Sequence, residues 1–271
     1  LLYAVGYSGI VEKSRDMAST WQRLTKGTLN SIGKVQFFDS LRGYISASKG
    51  YGDGSVFLKT VDGGNNWTPA TSLFENKGTI TSFYFIDSLH GWLSTWWLHQ
   101  DPYWTYNSGL IFRTNDGGSS WTQQVSDTSY YRLFDIHFAD MNNGLAVGSG
   151  RILRTANGGN TWSSQLFGFG GVPEFYATFL QDSLKGWAGG NDVLYFTNDG
   201  GHTWQARNTL VGMQYYAISD VVFTSPSIGW IAGYNWVTRT GFILKTTDAG
   251  LSWLNVLSGS PRSFKRMHFL D

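Results

Sequence analysis

Apolar residues fall in short runs along this chain, and the runs recur in a fixed order. A first run alternates and ends on an acidic or hydroxyl residue. It reads Val35-Gln36-Phe37-Phe38-Asp39, Phe83-Tyr84-Phe85-Ile86-Asp87, Ile136-His137-Phe138-Ala139-Asp140, Thr178-Phe179-Leu180-Gln181-Asp182 and Val221-Val222-Phe223-Thr224-Ser225. A second run opens at a following glycine: Gly43, Gly91, Gly144, Gly186 or Gly229. A third contains Val56-Phe57-Leu58, Leu110-Ile111-Phe112, Ile152-Leu153, Val193-Leu194-Tyr195 or Phe242-Ile243-Leu244. Short apolar runs bounded by Gly, Asp and Ser predict strands joined by tight turns.

After each third run comes an eight-residue box. Its copies run Thr60 to Trp67, Thr114 to Trp121, Thr155 to Trp162, Thr197 to Trp204 and Thr246 to Trp253, and a worn copy spans Ser14 to Trp21. The acidic place is held by Asp16, Asp62, Asp116, Asn157, Asp199 and Asp248. Asp-Gly-Gly between two strand-like runs predicts a hairpin, because glycine supplies the positive φ of a tight turn and the carboxylate accepts N–H bonds within it. The tryptophans (Trp21, Trp67, Trp121, Trp162, Trp204 and Trp253) are expected to drop between neighbouring sheets. Full burial of one contributes on the order of 5 kcal/mol as an upper bound. A calcium loop is disfavoured: the ion takes about six to eight oxygens, and each box offers at most one carboxylate.

Four short antiparallel strands in each repeat of about 45 residues make a propeller blade. The expectation is therefore an all-β, six-bladed β-propeller of four-stranded antiparallel blades, one domain over 1–271. The chain starts on a second-strand pattern, Leu2-Tyr3-Ala4-Val5-Gly6, and finishes on a first-strand pattern, Met267-His268-Phe269-Leu270-Asp271. The N-terminal blade is thus expected to be completed by about 262–271, closing the ring and leaving no open edge.

The box pattern Ser/Thr-x-Asp-x-Gly-x-x-Trp resembles the Asp-box, or bacterial neuraminidase repeat, of sialidases, sortilins and xyloglucanases. The longer repeat, as in Gly186-Trp187 running on to Thr197 and its box, is similar to the photosystem II stability/assembly factor family over the whole chain. The resemblance implies a propeller, and from the assembly factors a non-catalytic module that docks on other proteins. The basic patch that contributes to partner binding in those factors has no clustered arginine counterpart here.

Composition adds limits. Gly is 34 of 271 residues and aromatics are 17%, while charged residues are only 14%, against a usual ~25%. Net charge is +1 without a basic block, which gives nucleic acid little support. Cysteine is absent, so disulfides and thiol chemistry are excluded. No apolar run reaches the roughly 18 residues of a spanning helix. Low charge with abundant Thr, Ser, Asn and Trp suits an extracellular or periplasmic protein.

Repetition separates framework from function. Asp39, Asp87, Asp140 and Asp182 hold the same turn in successive repeats, and Lys59, Arg113, Arg154 and Lys245 each precede a box Thr, so both sets read as structural. Recognition belongs to residues that do not repeat. These gather on the loops opposite the boxes: Trp96, Trp97, Tyr103, Trp104 and Tyr106 in an insert; Tyr131, Arg132, Phe169, Glu174, Tyr215 and Tyr216 on links between blades; and Tyr234, Trp236 and Arg239 in the last repeat. Exposed loop aromatics stack on sugars or anchor protein partners. Lys34, Asp135, Asp220 and Arg266 share one register position and predict a polar channel mouth.

A sialidase-like hydrolase would need an arginine cluster, a Tyr–Glu nucleophile pair and an acid. The candidates are Arg132, Arg239, Glu174 and Asp101, and the Arg-Ile-Pro signature of that family is absent. The histidines His90, His99, His137, His202 and His268 have no metal spacing. No catalytic residue, cofactor or metal is assigned. The leading expectation is a protein-interaction scaffold. Carbohydrate binding, with or without hydrolysis, is the alternative, and a self-assembling subunit of an extracellular assembly is the third.

Overall fold

The structure, a computed structural model, describes residues 2–5, 9–15, 20–24, 30–49, 54–74, 78–100, 105–127, 131–167, 173–207, 214–261 and 263–267. The chain divides into two compact units, Leu1–Leu133 with Leu270–Asp271, and Phe134–Phe269.

In the first unit, β1 (Leu2–Val5), β2 (Val11–Ser14) and β3 (Gln22–Arg23) form a three-stranded sheet. Next come β4 (Ser31–Phe37), β5 (Gly43–Ser48), β6 (Ser55–Thr60) and β7 (Thr68–Thr71), then β8 (Thr79–Phe85), β9 (Gly91–Gln100), β10 (Thr105–Thr114) and β11 (Thr122–Asp127). Each set is a four-stranded antiparallel meander in chain order. Its core is aromatic: Phe57, Phe74, Phe83 and Phe85 are fully buried and Tyr44 stacks on Phe85 with centroids 4.4 Å apart.

The second unit repeats the plan three times. Its blades are β12 (Leu133–Phe138) to β15 (Ser163–Leu166), with β13 (Gly144–Gly148) and β14 (Arg151–Thr155) between; β16 (Phe175–Leu180) to β19 (Gln205–Ala206), with β17 (Gly186–Gly190) and β18 (Val193–Thr197); and β20 (Tyr216–Phe223) to β23 (Leu254–Ser260), with β21 (Gly229–Asn235) and β22 (Thr240–Thr246). First strands lie beside first strands, β13 and β16 touch, and Trp187 of one blade stacks on Phe223 of the next at 5.2 Å.

The blade count corrects the sequence expectation. Among the described residues five blades have four strands, not six: the N-terminal sheet has three, and 263–267 form no strand, while 262 and 268–271 of the expected closing segment lie outside them. The C-terminal segment makes other hydrogen bonds instead. Arg266 forks onto Asp135, Met267 N–H donates to Asp220, and the Phe264 carbonyl accepts from Ser219. Backbone and side chain committed to these side-chain partners do not extend a ladder.

The boxes are hairpins of one design. Thr60, Thr114, Thr155, Thr197 and Thr246 accept the N–H of Gly64, Gly118, Gly159, Gly201 and Gly250 on Oγ1 at 2.8–2.9 Å. Each also donates to its own Asp or Asn Oδ1, which accepts a backbone N–H four residues on, as in Ser120 to Asp116 at 2.9 Å. Paired positive-φ glycines such as Gly117 and Gly118 make the turn, and Ala249 takes the left-handed place in the last box at φ 58°. Most box tryptophans sink only part way. Trp67 is buried, Trp121, Trp162, Trp204 and Trp253 are half-buried, and Trp21 is exposed, so each contributes less than full burial would. Asp16 lies outside the described residues.

Candidate functional site

The repeated polar residues have defined structural partners. Asp39, Asp87, Asp140 and Asp182 each accept two successive N–H groups of their turn, as in Asp39 from Leu41 and Arg42 at 2.8 and 2.7 Å. Arg154 donates to the carbonyl of Gly200 in the next box at 2.6 Å, and Arg113 and Lys245 lie over Trp92 and Trp230.

In the first unit the aromatic insert is a regular hairpin. Trp96 is buried beneath the Arg132 guanidinium, 4.4 Å from the ring centroid, and Trp97 is half-buried against the core. Neither is a free platform, because ten-residue strands β9 and β10 continue the blade here and pull both tryptophans into its packing. Tyr106 pairs with His99 through the backbone, and Tyr131 is half-buried. Asp101, Tyr103, Trp104 and Phe169 lie outside the described residues.

The second unit assembles a rim on the side opposite its boxes. Three hairpin tips are stitched to two links, at 173–174 and 215–216, by backbone bonds. Gly150 N–H donates to the Pro173 carbonyl at 3.0 Å, Asn191 to Glu174 at 3.0 Å, Asp192 to Tyr216 at 3.0 Å and Trp236 to Tyr215 at 2.7 Å. The strands approach so closely that a Cβ on Gly190 would stand 1.8 Å from the Glu174 carbonyl oxygen. Asn235 Nδ2 donates to Gln214, while its Oδ1 accepts Val237 and Thr238 N–H at 3.0 and 2.9 Å, fixing the last tip as an Asx turn.

Two aromatics stand out of this frame. Tyr215 is 59% exposed and Trp236 58%, with Val237 at 68% beside them, and Tyr234 meets Trp236 edge-on at 5.2 Å. Tyr215 and Arg239 hold positive φ (58° and 57°), as does Asp192 (52°), a conformation that costs a non-glycine residue on the order of 1 kcal/mol and collects at functional sites. Of the neighbouring tyrosines the structure exposes Tyr215 and buries Tyr216, whose phenol is pushed up to about 12 by burial and then by Asp192. Strand alternation alone does not choose between them; the left-handed turn at Tyr215 does.

Glu174 is committed to a second partnership on the same rim: the Tyr176 hydroxyl donates to its carboxylate, and Asn191 Nδ2 donates to the phenol oxygen at 3.1 Å. Burial, followed by the bond and charge of Glu174, raises the phenol well above its ordinary range, so Tyr176 keeps its proton and acts as a donor. Arg132 stands on Trp96 in the other unit, and Arg239 is exposed beside Trp236. Of the sequence candidates for hydrolysis, Glu174 is taken up by Tyr176 and Arg132 by Trp96. Tyr176, Asn191 and Asp192 were not singled out in the sequence; the only signal was that Asn191-Asp192 interrupts the repeat between two strands.

Three of the residues read as a channel mouth come together in the second unit. Arg266 forms a two-pronged pair with buried Asp135, both bonds 2.9 Å, and reaches buried Asp220 at 3.5 Å. Asp135 also accepts Thr178 N–H at 2.9 Å. Lys34, in the first unit, donates to Ser82 at 2.9 Å and lies over Phe83. The acidic pair and its arginine form a closed clamp on the C-terminal segment. Among the described residues no group of three His, Cys, Asp or Glu is placed to hold a metal. A cleft of about 260 Å³ beside Arg154, Ser163, Gln165 and His202 is shallow and polar. Among the described residues no helix is long and apolar enough to cross a membrane.

No protein-family model and no curated protein matches the chain. Among solved structures it is similar to YCF48 from Cyanidioschyzon merolae, at 18% identity over 93% of this chain and 80% of that one, with a TM-score of 0.66. A GH74 xyloglucanase from Xanthomonas campestris matches at 12% identity over 94% of this chain but 43% of its own, with a TM-score of 0.64. A chain of the Mitotic Checkpoint Complex matches at 9% identity, covering 97% and 75%, with a TM-score of 0.62. These likenesses support the all-β β-propeller fold, built here from five four-stranded blades.

Proposed function

We propose that this chain is a non-catalytic β-propeller that binds a protein partner through the rim of its second unit, with Tyr215 and Trp236 as anchors. The observation that carries the reading is that two large aromatics are more than half exposed and yet rigidly fastened, through the Tyr215–Trp236 backbone bond and the Asn235 turn. Pre-organised Tyr and Trp lose little side-chain entropy on binding and dominate interface energetics. The fold is shared with YCF48 and with a chain of a multi-protein checkpoint assembly, which is consistent with a scaffold role. We read the five hairpins as Asp boxes of structural type, and place the protein outside the cytoplasm on its low charge and its abundance of Thr, Ser, Asn and Trp.

The test is selection from a displayed random-peptide library, followed by titration of the selected peptides. Trp236→Ala and Tyr215→Ala are expected to weaken binding at least about tenfold each, a hot-spot effect, with melting unchanged. Peptides indifferent to both changes, or none selected, would overturn the reading. Glycan-array binding lost in Trp236→Ala, without peptide binding, would assign the rim to carbohydrate, and turnover of a sialoside or aryl-glycoside panel would make the protein an enzyme.

A further inference from the structure

The last blade differs from its sisters at its outer edge. Sister outer strands are more polar or shorter: Thr68-Pro69-Ala70-Thr71 has a proline, Thr122 to Asp127 ends on a charge, Ser163-Ser164-Gln165-Leu166 has three polar residues before one exposed leucine, and Gln205-Ala206 is two residues long. Such features are how sheets blunt an edge. β23 instead reads Leu254-Asn255-Val256-Leu257, with neither proline nor charge along its seven residues. Leu254 is 67% exposed, Val256 51% and Leu257 42%. Leu251, 66% exposed, occupies a box position where the sisters carry Asn65, Ser119, Asn160 and His202.

The pairing register concentrates these side chains. Lys245 lies opposite Leu254, Leu244 opposite Asn255 and Ile243 opposite Leu257, so Val256 is an extra residue in a bulge. Opposed residues share a face, and Lys245 and Ile243, two apart, share one. The bulge thereby returns Leu254 and Leu257 to the same face of the sheet.

We propose that β23 is a self-association edge, on which two copies of this chain pair antiparallel about a two-fold axis with Leu254 of one opposite Leu257 of the other. A two-fold contact requires a self-complementary patch, and this register supplies one, because Leu254 meets the second copy's Leu257 twice. Residues 249–260 carry no charge, so identical strands meet without like-charge repulsion, and the net charge of +1 gives little long-range opposition. The edge is about 24 Å long, and pairing along it falls short of the roughly 1,200 Å² of stable interfaces. The dimer is therefore weak and reversible. Two-fold pairing consumes both edges, so assembly stops at two.

This inference is independent of the rim, and sedimentation velocity tests it on the full chain from about 1 to about 500 µM, the range in which a small interface is populated. Expected is a monomer–dimer equilibrium that vanishes in the Leu254→Lys/Leu257→Lys double variant without a change in melting. If the double variant folds poorly, Leu254→Lys alone, at the more exposed position, is expected to weaken the dimer at least about tenfold. A monomer throughout the range overturns the proposal, even one that captures an added strand peptide. So does a dimer indifferent to these changes.

Discussion

Replacing Thr114 by valine isolates the hydrogen bonding of one box while keeping its shape. The Oγ1 accepts Gly118 N–H at 2.9 Å and Asp116 N–H at 3.3 Å, and donates to Asp116 Oδ1 at 2.8 Å. Thr114 is buried, and so is the Gly118 end of its bond. Valine removes the acceptor but leaves the glycine N–H in place, and a buried donor without a partner costs about 1–3 kcal/mol. Loss of the bond to Asp116 adds about 0.5–1.5 kcal/mol, giving about 1.5–4.5 kcal/mol in all. For a chain of this size each kcal/mol lowers Tm by about 2–4 °C, so calorimetry at pH 7 should show a fall of about 3–18 °C. Asp116→Asn is the matched control, because the structure already contains that box. Asn157 Oδ1 accepts Thr161 N–H at 2.9 Å while its Nδ2 donates to Thr161 Oγ1 at 2.9 Å. It should cost less than about 1 kcal/mol. A Thr114→Val melting point within a degree of the parent, or an equal loss in Asp116→Asn, would refute this account of the hairpin.

Other consequences follow from the same contacts. Turn and box N–H and O–H groups hold the carboxyls of Asp39, Asp116 and Asp248 at about 2, below the ordinary carboxylate value of about 3.9. A depressed folded-state value stabilises above the unfolded one, so denaturation midpoints should be flat above about pH 5 and fall as pH drops through 4 towards 2; a flat profile down to pH 2 contradicts this. Arg266→Ala leaves Asp135 and Asp220 buried without their cation, a loss of about 3–5 kcal/mol, and should abolish amide-exchange protection at Met267. Unchanged protection there would mean that the clamp does not hold the segment. Gly190→Ala drives a methyl into the Glu174 carbonyl and should cost at least about 2 kcal/mol while loosening the 173–174 link in exchange; a neutral substitution would show that the rim is less tightly stitched than described.

Much of the framework was legible because it is local. Glycine pairs, the Asp two residues before a turn N–H, and the Thr four residues before a box glycine act within a few residues of themselves, and repetition displays them several times. Long-range partnership is a different matter. Met267-His268-Phe269 has the apolar spacing of a first strand, but spacing does not reveal that Arg266 is charged against Asp135 and Asp220, and that pairing decides where the segment lies. Within the candidate site, Trp236 and Glu174 were visible as non-repeating residues. The exposure of Tyr215 rather than Tyr216, and the burial of Trp96 under Arg132, depend on a left-handed turn and on the extra length of β9 and β10, which residue type alone does not encode.

The central claim is that the repeated hairpins hold the blades while recognition belongs to the irregular rim. Chemical-shift mapping of a library-selected peptide on the ¹⁵N-labelled chain tests it most directly. The account predicts shifts at the backbone of Tyr215, Val237 and Arg239 and at the Trp236 indole N–H, with the box residues Trp67, Trp121 and Trp253 unmoved. A peptide that moves the box indoles and leaves Trp236 in place would contradict it.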